Sequence, residues 1–140
     1  MPFKEKIAWI SVVTTILVWG GYFGFMAATG RRMHGAIYMV GFVGAVIVQT
    51  VLVVIASIVT AVMAPKDASA GSDERDREIS RRSYAVAYPV LLTLIVCVAA
   101  SVHLGMTPRD MAYEIMAAIV LAEIVHYAAQ IVGYRSGRHG

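Results

Sequence analysis

The stretch GAIYMVGFVGAVIVQTVLVVIASIVTAVM (Gly35–Met63) contains no charged residue along its whole length. About 20 apolar residues suffice for a helix to cross a hydrocarbon core that is about 30 Å thick. Three other runs are long and apolar enough to do the same: Ile7–Thr29, Ser83–Met106 and Met111–Tyr134. The sequence therefore predicts an all-α integral membrane protein, built as a four-helix bundle.

The composition supports this class. Of the 140 residues, 59% are hydrophobic and only 15% are charged, whereas soluble domains carry about 25% charged residues. The length favours a single membrane domain over residues 1–140. The formal net charge of +3 comes from basic residues at the ends of apolar runs, which indicates membrane topology and lipid-headgroup contact and not nucleic-acid binding. Cys97 is the single cysteine, so no intrachain disulfide can form.

Short turns pair the four predicted spans into two antiparallel hairpins. The turns are GRRMH (residues 30–34) and TPRD (residues 107–110). In the second turn, Thr107 or Asp110 can cap the fourth helix and Pro108 suits its first turn. The segment at residues 64–82, APKDASAGSDERDREISRR, joins the hairpins and is the only sizeable polar stretch.

Basic residues predict the orientation, because they are enriched on the cytoplasmic side of membrane proteins. With four spans, both termini and the linker share one side. That side carries nine basic residues: Lys4, Lys6, Lys66, Arg75, Arg77, Arg81, Arg82, Arg135 and Arg138. The opposite side carries three: Arg31, Arg32 and Arg109. We therefore expect a multi-pass protein of a bacterial inner membrane with cytoplasmic termini, and Trp9, Tyr84, Tyr88 and Tyr134 as interfacial aromatics.

The linker ends in a charged segment that should be helical and should lead into the third span. Glu78 and Arg82 are four residues apart, as are Asp73 and Arg77, and such pairs stabilise exposed helices. One interpretation is a solvated, salt-bridged helix. The other is a docking surface for a cytoplasmic partner, or a latch that closes onto Arg135 and Arg138. The residues of that surface are Asp73, Glu74, Arg75, Asp76, Arg77 and Glu78.

DERDREI before the third span, with YRSG after the last one, resembles a family of small prokaryotic membrane proteins with a DERD/DERE motif and no assigned function. The resemblance covers the second hairpin. It implies a regulatory role and a small helix-turn-helix transcription regulator as partner. It supplies no catalytic residues.

The stretch LAEIVHYAAQ (Leu121–Gln130) places polar side chains inside an apolar run. Glu123, His126 and Gln130 lie on one helix face, and an acid at mid-span costs roughly 2.5–3.5 kcal/mol. We therefore expect these residues to face the bundle interior, with Gln49 of the second span as one partner. The alternatives are a functional polar site, for protons, a ligand or a metal, and interhelical hydrogen bonding.

Two further patterns carry hypotheses about binding and assembly. His34, His103, Asp110 and Glu114 lie at the same end of the predicted bundle, where they could hold copper or zinc or simply mark the water interface. Gly20 and Gly24 match the small-xxx-small pattern, which predicts tight helix packing or, alternatively, a dimer interface.

Three functions remain open at this point. The first is an interaction or regulatory protein that uses the charged segment and self-associates. The second is a small proton-coupled transporter that works as a dimer through Glu123. The third is a metal- or haem-binding protein, which would need His34, His103 or His126 as ligands. The sequence lacks a nucleophile elbow, a phosphate-binding glycine loop and a zinc-protease motif, which favours a non-enzymatic role.

Overall fold

The computed structural model describes residues 3–29, 35–63, 65 and 74–136, apart from the side chains of residues 35, 36 and 109. Four long helices make up nearly all of this part of the chain. They are α1 (Phe3–Thr29), α2 (Gly35–Met63), α3 (Glu74–Ser101) and α4 (Pro108–Ser136). A short 3-10 turn, Val102–Leu104, follows α3. The predicted all-α class is confirmed for the described residues.

All four helices are long and apolar enough to cross a membrane. Three of them extend beyond the predicted spans: α1 begins at Phe3, α3 at Glu74, and α4 ends at Ser136, whereas α2 has the predicted bounds. The predicted spans were shorter because they counted only apolar residues, and a helix need not end where its apolar stretch ends. The charged residues from Glu74 onward and most of the third apolar run form one continuous helix, as the sequence predicted, and this helix ends at Ser101, before the predicted end at Met106.

The chain divides into two compact units, Met1–Gly71 and Ser72–Gly140. The first unit contains α1 packed against α2, and the second contains α3 packed against α4. These units are the two predicted hairpins. The grouping of both hairpins into one membrane domain stays a prediction.

In the first hairpin, aromatic side chains and a glycine bring the helices together. Trp19 of α1 packs against Phe42 of α2 with 5.6 Å between ring centroids. A Cβ atom at Gly41 would lie 3.2 Å from Cε of Met26 and 3.3 Å from Cε2 of Tyr22. A larger residue at position 41 would therefore have to displace α1 side chains.

The glycines singled out in the sequence are not where the hairpin is tightest. A Cβ atom added at Gly20 or Gly24 would meet no atom within 4 Å. The prediction that these two glycines pack tightly against a helix is therefore wrong for the first hairpin. Glycine spacing on one helix does not show which face meets the neighbour. The dimer-interface alternative stays a prediction.

In the second hairpin, Gly133 of α4 lies close against α3. A Cβ atom there would lie 2.9 Å from Cγ2 of Ile79 on α3. Ile79 is buried, and the missing side chain at position 133 leaves room for it. This contact lies beside the charged start of α3 and fixes how that segment meets the end of α4.

The connection between α3 and α4 confirms the predicted cap. The Thr107 hydroxyl accepts a hydrogen bond from the Asp110 backbone N–H at 3.2 Å and donates to Asp110 Oδ2 at 2.8 Å. Pro108 is the first residue of α4, where its missing N–H is not needed. Before this cap, Gly105 adopts φ 87°, a left-handed conformation that favours glycine.

Candidate functional site

The first nine residues of α3, Glu74–Arg82, form the charged segment, which precedes the apolar part of the helix. Glu78 binds two arginines of this segment: Arg82 Nε at 2.6 Å and Arg81 Nη2 at 2.9 Å. The predicted pair of Glu78 and Arg82 is therefore confirmed. These arginines hold the pKa of the Glu78 carboxyl below its usual value, chiefly through the hydrogen bond from Arg82. Asp73 lies outside the described residues.

A contact that the sequence did not predict ties the charged segment to the end of α4. The Tyr134 hydroxyl donates to Asp76 Oδ1 at 3.2 Å. Arg75 Nη2 donates to the Tyr134 backbone carbonyl at 3.5 Å. We call these three residues, Arg75, Asp76 and Tyr134, the clamp. Because both bonds join residues almost sixty positions apart, the clamp sets the register between the two helices.

Tyr134 corrects one prediction about the aromatic residues. It was expected at the lipid interface, yet only 5% of its surface is exposed. Its hydroxyl reaches a carboxylate on the neighbouring helix, so the ring can be buried without leaving a polar group unpaired. Tyr84 and Tyr88, by contrast, are exposed, as interfacial aromatics would be.

A groove opens between the charged segment and the last two turns of α4. Its volume is about 560 Å³. Arg75, Glu78 and Arg82 lie along its polar part, and Val86, Ala129 and Val132 along its apolar part. Charged and apolar side chains therefore line one continuous concave surface of the second hairpin.

His126 lies in the interior of the second hairpin, as predicted. Only 5% of its surface is exposed. Its ring packs at 4.0 Å between centroids against Tyr84 of α3 and at 5.2 Å against Tyr127. The imidazole therefore contacts one aromatic ring of α3 and one of its own helix.

One nitrogen of His126 has a side-chain hydrogen-bond partner among the described residues. Nε2 lies 3.0 Å from Nε2 of Gln130, so the structure brings together two of the predicted polar residues. Nδ1 is buried and has no side-chain partner in this part of the chain, and the imidazole also interacts with the Ser83 backbone of α3.

Glu123, unlike His126, is not buried. It was expected to face a helix interface together with His126, but it is exposed on α4. Residues three apart on a helix differ by about 60° in direction, which is enough to separate a buried imidazole from an exposed carboxylate. The second hairpin alone therefore leaves this mid-helix acid uncovered.

Gln49 belongs to the first hairpin and has partners there. Its Nε2 donates to Thr15 Oγ1 at 2.8 Å and approaches Thr14 Oγ1 at 3.4 Å. Both hydroxyls belong to α1, so the amide joins the two helices across their interface. This geometry is the interhelical hydrogen bond that was one of the two interpretations of Gln49.

The predicted metal ligands do not assemble in the described part of the chain. No group of three or more histidine, cysteine, aspartate or glutamate side chains there could hold a metal ion. This includes His103, Asp110 and Glu114, whereas His34 lies outside the described residues. The hypothesis of a metal at this end gains no support.

Comparison of the chain with protein-family models, curated proteins and solved structures finds no match. The resemblance to the DERD/DERE proteins therefore stays a prediction.

Proposed function

We propose that the chain is an integral protein of a bacterial inner membrane that acts by binding a cytoplasmic protein through the charged segment. The observation that carries this proposal is the clamp. Charged residues at the end of a helix are common. The charged segment of α3, however, is hydrogen-bonded to the end of α4, so its outward charged side chains are held in a defined position.

Rigidity matters because association has to overcome the cost of ordering flexible groups, about 0.5–1.5 kcal/mol for each immobilised side chain. The clamp orders the backbone of the charged segment before any partner arrives. Arg75 and Asp76 are occupied in that contact. The docking surface is therefore the outward face, which carries Glu74, Arg77 and Arg81, all exposed.

The orientation is part of the proposal and rests on charge. Nine basic residues lie on the side of the termini and the linker, against three on the other, which favours a cytoplasmic charged segment. A cytoplasmic partner with complementary charges fits this face. The resemblance to the DERD/DERE proteins implies a small transcription regulator as that partner.

The test is a pull-down from membranes of the native host with charge-reversed variants of the outward face. We expect the triple variant Glu74→Lys, Arg77→Glu and Arg81→Glu to lose its cytoplasmic partner, because each change reverses the charge of one exposed side chain of the docking face. The control is Glu114→Lys, an exposed acid near the opposite end of α4. Equal recovery of the partner by wild type and triple variant would refute the docking surface.

A second candidate function is proton-coupled transport by a dimer, and the exposure of Glu123 favours it. An acid at mid-span is costly in lipid, so a second copy that covers Glu123 would lower that cost. The same contact would create a polar path beside His126. Proton-driven flux in proteoliposomes should then vanish in Glu123→Gln and persist in Glu114→Gln; equal flux in both variants would exclude this function.

A further inference from the structure

We propose that the groove of the second hairpin binds one anionic phospholipid. The headgroup phosphate would lie on Arg75 and Arg82, and one acyl chain would lie along Val86, Ala129 and Val132. This inference rests on the membrane embedding in the proposed function, but it concerns a different surface from the protein-docking face.

The shape of the groove fits an amphipathic ligand. Its volume of about 560 Å³ lies within the range of about 300–1,000 Å³ that is common for small-molecule sites. Val86 lies four residues after Arg82, which is about 6 Å along the helix. The lining therefore changes from guanidinium groups to valine side chains over the distance that separates a phosphate from the first carbons of its acyl chains.

The two arginines in the polar part of the groove have N–H donors that their present hydrogen bonds do not use. A guanidinium carries five N–H donors. Arg82 uses Nε on Glu78, and Arg75 uses Nη2 on the Tyr134 carbonyl. Arginine is suited to phosphate because two parallel N–H groups can bind two oxygens at once. Each side chain can therefore keep its present contact and still bind a phosphate oxygen.

The charge balance favours an anion even though the groove contains a carboxylate. Glu78 is shared by Arg81 and Arg82, and Asp76 is bonded to the Tyr134 hydroxyl. Among the charged side chains that line the groove, the two arginines Arg75 and Arg82 outnumber the single carboxylate of Glu78. Clusters of basic residues at the cytoplasmic end of a span attract anionic lipids by about 1 kcal/mol for each residue.

The apolar part of the groove distinguishes a lipid from a free anion. Val132 is 64% exposed and Val86 is 51% exposed. Inorganic phosphate would leave both valines uncovered, whereas an acyl chain would cover them. A phospholipid is therefore the occupant that matches both ends of the groove.

The test is native mass spectrometry of the full chain, purified in detergent, stripped of lipid and titrated with phosphatidylglycerol or phosphatidylcholine. We expect phosphatidylglycerol to bind at least tenfold more tightly. Arg75→Gln and Arg82→Gln should each weaken it about fivefold, which corresponds to about 1 kcal/mol. Arg77→Gln, on the same segment but outside the groove lining, is the matched control. Val132→Trp should weaken both lipids because it fills the apolar part.

Several results would overturn the proposal. Equal binding of the two lipids by the wild-type protein would refute the proposed headgroup site. This comparison does not depend on the folding of any variant. Displacement of phosphatidylglycerol by millimolar inorganic phosphate would indicate a free-anion site. A dimer abolished by Val132→Trp would indicate a second copy in the groove. Loss of lipid selectivity with an intact pull-down would leave the protein-docking function standing.

Discussion

The two hairpins share one layout, yet different chemistry holds each together. In the first, aromatic packing around Trp19 and a hydrogen bond from the side-chain amide of Gln49 join the helices. In the second, the helices are joined at one end by the clamp and their connection is capped at the other by Thr107. The hydrogen bonds between α3 and α4 lie at one end of the second hairpin, where they set the register of the two helices, whereas Gln49 and Thr15 meet within the length of α1 and α2. The second hairpin is therefore the one that can hold a surface in a defined position.

The largest expected difference between the hairpins comes from adding volume at a glycine. Gly133→Val should destabilise the second hairpin by about 1–3 kcal/mol, since its Cβ would lie 2.9 Å from Ile79 and overpacking costs this much. The measurement is unfolding of the purified protein in mixed micelles with increasing denaturing detergent. Gly20→Val is the matched control, because nothing lies within 4 Å of its Cβ. Equal destabilisation by both variants would contradict the packing described for Ile79.

A smaller effect is expected at the clamp. Tyr134→Phe removes the hydroxyl that donates to Asp76 and should cost about 0.5–1.5 kcal/mol. It should also increase the motion of a spin label attached at Arg77→Cys in a protein that carries Cys97→Ser. Tyr88→Phe, at an exposed ring of α3, should change neither quantity. An unchanged spectrum in Tyr134→Phe would mean that the clamp does not order the charged segment.

The smallest effect is expected in the first hairpin. A double-mutant cycle with Gln49→Leu and Thr15→Val should give a coupling energy near 0.6 kcal/mol, the average for such bonds between membrane helices. Thr50 provides the control cycle, because its hydroxyl donates to the Val46 carbonyl of its own helix. A coupling energy above about 1.5 kcal/mol, the upper end of the effect expected at the clamp, would contradict this ranking of the two hairpins.

Much of the fold could be predicted because it depends on local pattern. Apolar length predicted four helices, and Thr107 and Pro108 predicted the start of the fourth. The pair of Glu78 and Arg82 followed from helical spacing. Each of these features depends on residues within a few positions of one another, so one sequence contains the necessary information.

The candidate site could be predicted only in part, because it depends on residues distant in sequence. Nothing in one sequence connects Tyr134 with Asp76, and the groove is lined by residues of both α3 and α4. His126 was expected inside and is buried, but its neighbour Glu123 was expected there too and is exposed. The free-energy cost of a charge in lipid indicates that a charged residue should be buried against protein. It does not indicate which protein surface buries it.

The most direct test of the account is the side of the membrane on which the charged segment lies. Single cysteines at Arg77→Cys and Thr107→Cys, in protein that carries Cys97→Ser, would be labelled in intact bacterial spheroplasts with a membrane-impermeant maleimide. The account predicts that position 107 is labelled in intact spheroplasts and position 77 only after lysis. Labelling of position 77 in intact spheroplasts would contradict it.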